Sequence, residues 1–145
     1  MEIKVKKLKE NAKLRFRATA ASAGADLFAC VEEKIVLKAG ERTLVPTGIA
    51  IEIPSEGYGG FVFPRSSVAS KFGVSLSNCV GVIDSDYRGE VKIAVINHGN
   101  ESFVIENGDR IAQLVIMPVE NAVFSECCEL SSTQRGEGGF GSTGK

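Results

Sequence analysis

The stretch NCVGVIDSDYRGEVKIAVIN, residues 78–97, carries the strongest folding signal in the sequence. Its apolar first part leads into the polar segment DSDYRG, residues 84–89, and a second strand pattern with alternating apolar residues follows. Because Asp, Ser and Gly favour turns between strands, the pattern predicts a β-hairpin. Asp84 follows three apolar residues, so two positions are open for it: a solvated turn tip and the mouth of a pocket.

The same alternation of apolar residues recurs along the rest of the chain. It marks Ile3 and Val5, Ile49 to Ile53, Phe61 and Phe63, Phe103 and Ile105, and the apolar run Leu114 to Met117. The turn signals between these segments are KAGE (38–41), SEGYGG (55–60), NHGN (97–100) and ENGD (106–109). Many short strands with turns at this spacing are typical of an antiparallel sandwich, barrel or jelly roll. The sequence therefore predicts an all-β fold.

One segment, RSSVASKFG at residues 65–73, carries a helical signal. Serines stand near its start, Val68 and Phe72 are four residues apart, and Gly73 suits a helix C-terminus. The backbone N–H groups, serine hydroxyls and Arg65 at its start would suit an anion. An ordinary capped connector explains the same residues equally well, so both interpretations stay open at this point.

Size and composition indicate one soluble domain that is not a general nucleic-acid binder. The chain has 145 residues, of which 43% are hydrophobic, and its net charge is −1, whereas general nucleic-acid binding needs a strong positive field. No apolar run approaches the roughly 20 residues of a membrane helix. The four cysteines form no C-x-x-C pair, and the first residues lack the apolar core of a secretory signal. We therefore expect a reducing, intracellular compartment and small, buried thiols.

Carboxylates are the main candidates for chemistry. Asp84 can take a proton from water if a phosphate lies within reach, whereas His98, the single histidine, is interpreted as a solvated turn residue. The sequence lacks the His and Cys clusters that hold zinc, but Mg²⁺ needs only one or two carboxylates together with substrate phosphates. Asp26 is a candidate for that role and an equally good candidate for closing a turn.

Four arginines lie in loops or beside a turn: Arg65, Arg88, Arg110 and Arg135. Surface arginines are usually solvated and inert, but Arg65 and Arg135 stand beside small residues that let a ligand reach backbone N–H groups. From the residues alone, the chain is a β-rich protein that binds a small polyanion.

Five segments, taken in order, resemble the five motifs of the homotrimeric dUTP pyrophosphatases (dUTPases). They are SAGADL (22–27), PRSSVASKFGV (64–74), GVIDSDYRG (81–89), GDRIAQL (108–114) and RGEGGFGSTG (135–144). The resemblance implies a jelly-roll domain over residues 1–130 and a flexible C-terminal arm over residues 131–145 that closes an active site. It also implies a homotrimer with three sites at subunit interfaces, which hydrolyses dUTP to dUMP and pyrophosphate with Mg²⁺. The expected location is cytoplasmic, or nuclear as well if the source is eukaryotic.

By this resemblance, Asp84 is the general base that deprotonates the attacking water. Tyr87 packs under the deoxyribose, where a ribose 2′-hydroxyl would collide with its ring. Asn78 reads uracil together with backbone groups of the same hairpin, at Gly81 and Val82.

Arg65, Ser66, Ser67 and Gln113 resemble the phosphate contacts of the family. Asp26 resembles the aspartate that helps to hold hydrated Mg²⁺ through water, while the metal itself is held mainly by the substrate phosphates. Ser67 stands where the common family pattern has glycine, and we expect binding to be retained because serine is small.

Arg135 resembles the ligand of the γ-phosphate, and Phe140 resembles the aromatic residue that stacks on uracil. Gly141 and the neighbouring glycines would let the arm wrap around the triphosphate. Two alternatives accompany this hypothesis: a related dCTP deaminase or deaminase-pyrophosphatase, and a jelly-roll binding protein without turnover.

Overall fold

The described part of the chain contains eleven β-strands and one short α-helix. A computed structural model describes residues 1–14 and 17–139. In chain order the elements are β1 Lys4–Lys7, β2 Ala25–Phe28, β3 Ile35–Leu37, β4 Arg42–Pro46, β5 Ile49–Glu52, β6 Tyr58–Pro64, α1 Ser66–Phe72, β7 Val74–Leu76, β8 Gly81–Ile83, β9 Lys92–Asn97, β10 Phe103–Ile105 and β11 Arg110–Pro118. Within the described ranges, no helix has the length and apolar character needed to cross a membrane.

Antiparallel pairing joins these strands into four sheets. One sheet has four strands in the order β2-β11-β6-β8, another has three in the order β4-β9-β7, and two ribbons pair β1 with β5 and β3 with β10. The predicted all-β class with one short helix is confirmed. The alternating segments found in the sequence coincide with β1, β5, β6, β9, β10 and β11.

The sheets share one hydrophobic core. Side chains that are at most 3% exposed come from the four-stranded sheet (Leu27), the three-stranded sheet (Val45 and Ile93) and the two ribbons (Ile51 and Ile105). Burial of each such aliphatic side chain contributes roughly 1.5–3 kcal/mol. The core therefore holds all four sheets around one centre.

The helix α1 forms where it was predicted, but no serine caps its start. Arg65 is the N-cap in an extended conformation, and it makes no side-chain capping hydrogen bond. At the other end, Gly73 has a φ of 68° and donates its N–H to the carbonyls of Ala69 and Val68. An added Cβ on Gly73 would lie 2.8 Å from the Gly99 nitrogen, so both backbone conformation and space require glycine there.

Strand β6 begins earlier than the turn signal SEGYGG predicted. Tyr58, Gly59 and Gly60 belong to the strand and pair with β11. The second glycine lies in a crowded place, because an added Cβ on Gly60 would lie 3.2 Å from Ile83 and 3.3 Å from Leu114. These glycines mark a close approach of neighbouring side chains rather than a turn.

The β-hairpin predicted at residues 78–97 is wrong in its pairing. Strand β8 pairs with β6, and β9 pairs with β4 and β7, so the two predicted arms lie in different sheets. The segment 84–91 crosses from one sheet to the other. Alternation identifies strands but does not specify their partners, which depend on the packing of the whole core.

The prediction of small, buried thiols is right only for Cys30, which is 1% exposed. Cys79, Cys127 and Cys128 are exposed free thiols. Residues 127 and 128 lie beyond β11 in irregular backbone, outside the sheets that cover the core. His98 is exposed directly after β9, as predicted for a turn residue.

Candidate active site

A cavity of about 390 Å³ lies between β8 and β9, where these strands separate into different sheets. Its lining includes Asn78, Gly81, Val82, Asp84 and Tyr87. These are the five residues assigned from the sequence to the base, the sugar and the attacking water. The volume is within the ordinary range for small-molecule sites, about 300–1,000 Å³. The structure thus brings this group together in a gap that a paired hairpin would have closed.

Asp84 lies at the mouth of this cavity, and its side chain is exposed. The residue directly follows β8, and its carbonyl accepts a hydrogen bond from the Tyr87 N–H at 3.1 Å, which closes the turn. A second hollow of about 750 Å³ opens on its other side, beside Glu56 and Asp86. The Asp84 carboxylate is therefore accessible to water, as a general base requires.

The Tyr87 ring packs against the loop that carries it. Its hydroxyl donates a hydrogen bond to the Glu90 carbonyl at 3.0 Å. Gly89 leaves room for the ring, because a Cβ at this position would collide with the tyrosine hydroxyl. The glycine of the DYRG sequence is thus required by the side chain of Tyr87.

A separate cavity, also of about 390 Å³, lies at the far end of β6 beside the start of α1. Its lining includes Asp26, Arg65, Ser66, Ser67 and Gln113. These residues are the predicted phosphate contacts and the predicted ligand of metal-bound water. The structure brings this second group together as well.

Strand pairing aligns the second group. Gln113 in β11 lies opposite Asp26 in β2 and opposite Phe63 in β6, so the side chains of Gln113 and Asp26 share one face of the sheet. Arg65 follows β6 directly. Gln113 Nε2 donates to the Pro64 carbonyl at 3.0 Å, which orients the amide beside Arg65.

Gly24, in the SAGADL segment, makes room for the Gln113 side chain. An added Cβ on Gly24 would lie 2.6 Å from Gln113 Oε1 and 3.2 Å from its Cβ. A side chain at residue 24 would therefore displace the glutamine amide from the cavity.

Two arginines hold the Asp26 carboxylate. Arg65 Nε donates to Oδ1 at 3.0 Å, and Arg110 Nη1 donates to Oδ2 at 3.3 Å. The side chains of Asp26 and Arg65 are 17% and 21% exposed, whereas that of Arg110 is 50% exposed. Two guanidinium groups beside one carboxylate leave the cavity with an excess of positive charge, which suits a polyanion.

Sequence reasoning missed Arg110, which it grouped with the solvated arginines. By simple alternation, Arg110 would share the inner face of β11 with the fully buried Ala112. A register shift between these two residues places Arg110 opposite Phe28 of β2 instead, on the face that carries Asp26. The signal in the sequence is the adjacent pair Ile111 and Ala112, two apolar residues that interrupt the alternation.

The donor set near Asp26 fits a metal held through water. Among the described residues, the structure contains no group of three or more His, Cys, Asp or Glu side chains that could hold a metal ion. Both Asp26 oxygens accept hydrogen bonds from arginines, but a carboxylate oxygen can accept a second one. Such a carboxylate suits the hydration shell of Mg²⁺ bound mainly by substrate phosphates.

The two cavities lie at opposite ends of β6. Gly60 of β6 pairs with Ile83 of β8, so Asp84, the next residue, lies near Gly59 at the start of β6. Arg65 lies six residues after Gly59, which corresponds to about 20 Å of extended strand. Asp84 and Arg65 therefore lie at opposite ends of β6 within the chain.

Arg135 lies outside both cavities. Its side chain is exposed, and its Nε donates to the Gly138 carbonyl at 2.8 Å. Residues 119–139 contain neither strand nor helix. The predictions for Phe140 and Gly141 lie outside the described residues.

The fold and its cavities define a class: an antiparallel β-protein with one pocket lined by Asn78, Asp84 and Tyr87 and another that carries an excess of positive charge. A family model described as dUTPase matches residues 10–144. The deoxyuridine 5'-triphosphate nucleotidohydrolase of Syntrophotalea carbinolica is 55% identical over 142 residues, which cover 98% of this chain and 96% of that protein. The chain belongs to the dUTPase family.

Solved structures are similar over nearly the whole chain. A mutant dUTPase of Staphylococcus bacteriophage 80alpha with dUpNHpp matches with a TM-score of 0.88 and 32% identity, covering 99% of both chains. A mutant dUTPase from phage phi11 of S. aureus, described with a structural Mg(II) ion, matches with a TM-score of 0.81 and 28% identity. That match covers 91% of this chain and 100% of the phage chain.

Proposed function

We propose that the protein hydrolyses dUTP to dUMP and pyrophosphate at sites that are each completed by a neighbouring subunit. The hydrolysis is the activity of the family to which the chain belongs. The observation that carries the shared site is that Asp84 and Arg65 lie at opposite ends of β6, about 20 Å of extended strand apart. Adjacent phosphorus atoms of a triphosphate, in contrast, are joined through a single oxygen. Since both must act on one triphosphate, they come from different subunits.

An apolar outer face of the four-stranded sheet supports a homotrimer. Phe61 in β6 pairs with Val82 in β8 and with Val115 in β11, and all three point away from the core because their strand neighbours point into it. Val82 is 66% exposed. Packing this face around a three-fold axis would cover these side chains and set Asp84 of one subunit beside Arg65 of another.

Asn78 and the peptide groups of Gly81 and Val82 read the base. Uracil offers an acceptor at O4 and a donor at N3, and cytosine offers the reverse, so a buried mismatch leaves polar groups unpaired. The backbone of β8 is paired with β6 and forms a rigid wall, which excludes the methyl group of thymine by size.

Arg65, Ser66, Ser67 and Gln113 bind the triphosphate. Arg65 exchanges its contact with Asp26 for phosphate oxygens, which a guanidinium can bind with two parallel hydrogen bonds. Asp26 would hold the water shell of a Mg²⁺ ion, and the ion, when bound, would neutralise charge on the leaving pyrophosphate.

Asp84 acts as the general base. Its carboxylate accepts a proton from a water molecule while the water oxygen attacks the α-phosphorus. The bond from the α-phosphorus to the bridging oxygen then breaks, and pyrophosphate leaves with that oxygen. Arg65 stabilises the negative charge that develops on the leaving group.

Residues 131–145 form an arm that follows the domain of residues 1–130. Arg135 lies in exposed, irregular chain, from which it can reach the γ-phosphate in a neighbouring subunit's site, and Phe140 stacks on the uracil there. The free thiols support an intracellular location.

Incubation with Mg²⁺ and each of dUTP, dCTP, dTTP and UTP tests the proposed function, with pyrophosphate release and deamination measured in parallel. We expect rapid pyrophosphate release from dUTP alone. Deamination of dCTP would indicate the related deaminase, and an absence of turnover with all four nucleotides would indicate a binding protein.

A further inference from the structure

We propose that Glu90 is a positioning residue that holds Tyr87 in place and thereby sets the discrimination between deoxyribonucleotides and ribonucleotides. The inference rests on the proposed packing of Tyr87 under the deoxyribose. Glu90 and Tyr87 line the same cavity between β8 and β9. The resemblance to the dUTPase motifs assigns no role to Glu90.

The Glu90 side chain ties its loop to the turn before β5. Its Oε1 accepts a hydrogen bond from the Gly48 N–H at 2.8 Å, and its Oε2 lies 3.7 Å from Lys92 Nζ. The Glu90 side chain is only 20% exposed. The contact to Gly48 therefore lies in a partly dry setting, where a hydrogen bond is stronger than in water.

Gly48 is a rigid anchor for this contact. Its φ is 67°, and an added Cβ would lie 2.7 Å from Cys30 Sγ and 2.9 Å from Ala12 Cβ. Its carbonyl accepts a hydrogen bond from the Leu8 N–H at 2.8 Å. Neighbouring segments thus hold the backbone of Gly48 closely, so a group bonded to its N–H is held as well.

The main chain of Glu90 in turn holds the side chain of Tyr87. The Tyr87 hydroxyl donates to the Glu90 carbonyl at 3.0 Å, and the next residue, Val91, donates its N–H to the Ile49 carbonyl at 2.9 Å. The tyrosine ring is therefore bonded to a residue that is fixed by its own side chain and by the peptide that follows it.

Such a constraint matters because the two substrates differ by one oxygen. A ring that could retreat by about 1 Å would relieve the collision with a 2′-hydroxyl, since functional geometry must be held within roughly 0.5 Å by supporting residues. The chemistry at the α-phosphorus does not involve Glu90. Loss of the Gly48 contact should therefore raise turnover of UTP more than it lowers turnover of dUTP.

The test compares kcat/KM for dUTP and UTP in three variants. Glu90→Gln keeps an acceptor at Oε1 and should keep the wild-type ratio. Glu90→Ala removes the acceptor, and Glu90→Asp shortens the side chain by one methylene, so that the acceptor no longer reaches the Gly48 N–H. Both variants should lower the dUTP/UTP ratio of kcat/KM by about tenfold, the scale of a small steric difference in a pocket. Protection of the Gly48 amide from hydrogen exchange should fall in the same two variants.

Two further variants make the outcome decisive. Glu52→Ala removes an exposed carboxylate of β5 that pairs with Lys4 and should leave the ratio unchanged. Tyr87→Ala should lower the ratio, and if it does not, the proposed role of Tyr87 fails. A lower ratio in Tyr87→Ala with an unchanged ratio in Glu90→Ala would overturn the inference for Glu90 alone. If Glu90→Ala does not fold, the contrast between Glu90→Asp and Glu90→Gln decides, and equal ratios in those two would also overturn it.

Discussion

Arg65 and Asp26 form a largely buried ion pair, with Arg65 Nε 3.0 Å from Asp26 Oδ1. Arg110 Nη1 holds the other carboxylate oxygen at 3.3 Å. An anion that draws Arg65 away would leave Asp26 bonded to Arg110, so the carboxylate would keep a positive partner in both arrangements. The structure thus holds Arg65, the proposed phosphate ligand, in place without leaving the Asp26 carboxylate unpaired.

Asp26→Asn should raise the Mg²⁺ concentration needed for half-maximal activity by about 10–100-fold, because a neutral amide holds metal-bound water less well. A Mg²⁺ titration of pyrophosphate release measures the change. Glu32→Gln is the matched control, since this carboxylate is 84% exposed and pairs with Lys9 at 3.4 Å. An unchanged Mg²⁺ requirement in the Asp26 variant would remove it from the metal's water shell.

Arg110→Gln should raise KM for dUTP by about tenfold and change kcat less, because Arg65 then becomes the main charge partner of a largely buried Asp26 and is costly to release. Steady-state kinetics provide the measurement. Arg42→Gln, an exposed arginine at the start of β4, serves as the control. A wild-type KM in the Arg110 variant would show that the second ion pair is not needed.

Asp84→Asn should leave nucleotide binding largely intact and lower turnover by at least about 100-fold, the scale of losing a general base. Calorimetry with a non-hydrolysable dUTP analogue measures binding, and pyrophosphate release measures turnover. Asp86→Asn is the matched control, since it makes the same change two residues away in the same loop. High activity in the Asp84 variant would require a different base.

Truncation before Arg135 should preserve folding and remove most of the activity. Within the described residues, regular structure ends with β11 at Pro118, and the hydrogen bonds given for residues 135–138 join them to one another and to Thr133. Circular dichroism and thermal unfolding report the fold, and pyrophosphate release reports activity. Removal of Lys145 alone is the control and should have no effect; a truncated protein that unfolds would instead make the arm a structural element.

Mixed trimers of two inactive variants should recover activity. Asp84→Asn subunits keep Arg65, and Arg65→Gln subunits keep Asp84, so some interfaces in a mixture combine both intact residues. Co-expression in equal amounts should restore about a quarter of wild-type activity if the subunits assort at random in a cyclic trimer. Each variant alone should stay inactive, and light scattering should report a trimer. No recovery in the mixture would contradict the shared site.

The local elements of this fold could be read from the residues. Alternation at Ile93 and Val95 places β9, and Gly73 ends α1 as its position predicts. The segment 84–91 shows the limits of such local prediction, because the apolar alternation before and after this segment indicates two strands but does not show that they belong to two sheets. Strand partners depend on which faces the whole core buries, and this is a property of many distant residues.

The sequence by itself determined the all-β class, the position of the helix α1, and which residues carry polar chemistry, because periodicity and turn chemistry are local properties. Tertiary structure alone decided where those residues stand. It opened the cavity between β8 and β9, turned Arg110 toward Asp26 through a register shift in β11, and separated Asp84 from Arg65 by the length of β6. The physical reason is that strand pairing and register are set by burial of the common core, which brings together residues that no local pattern connects.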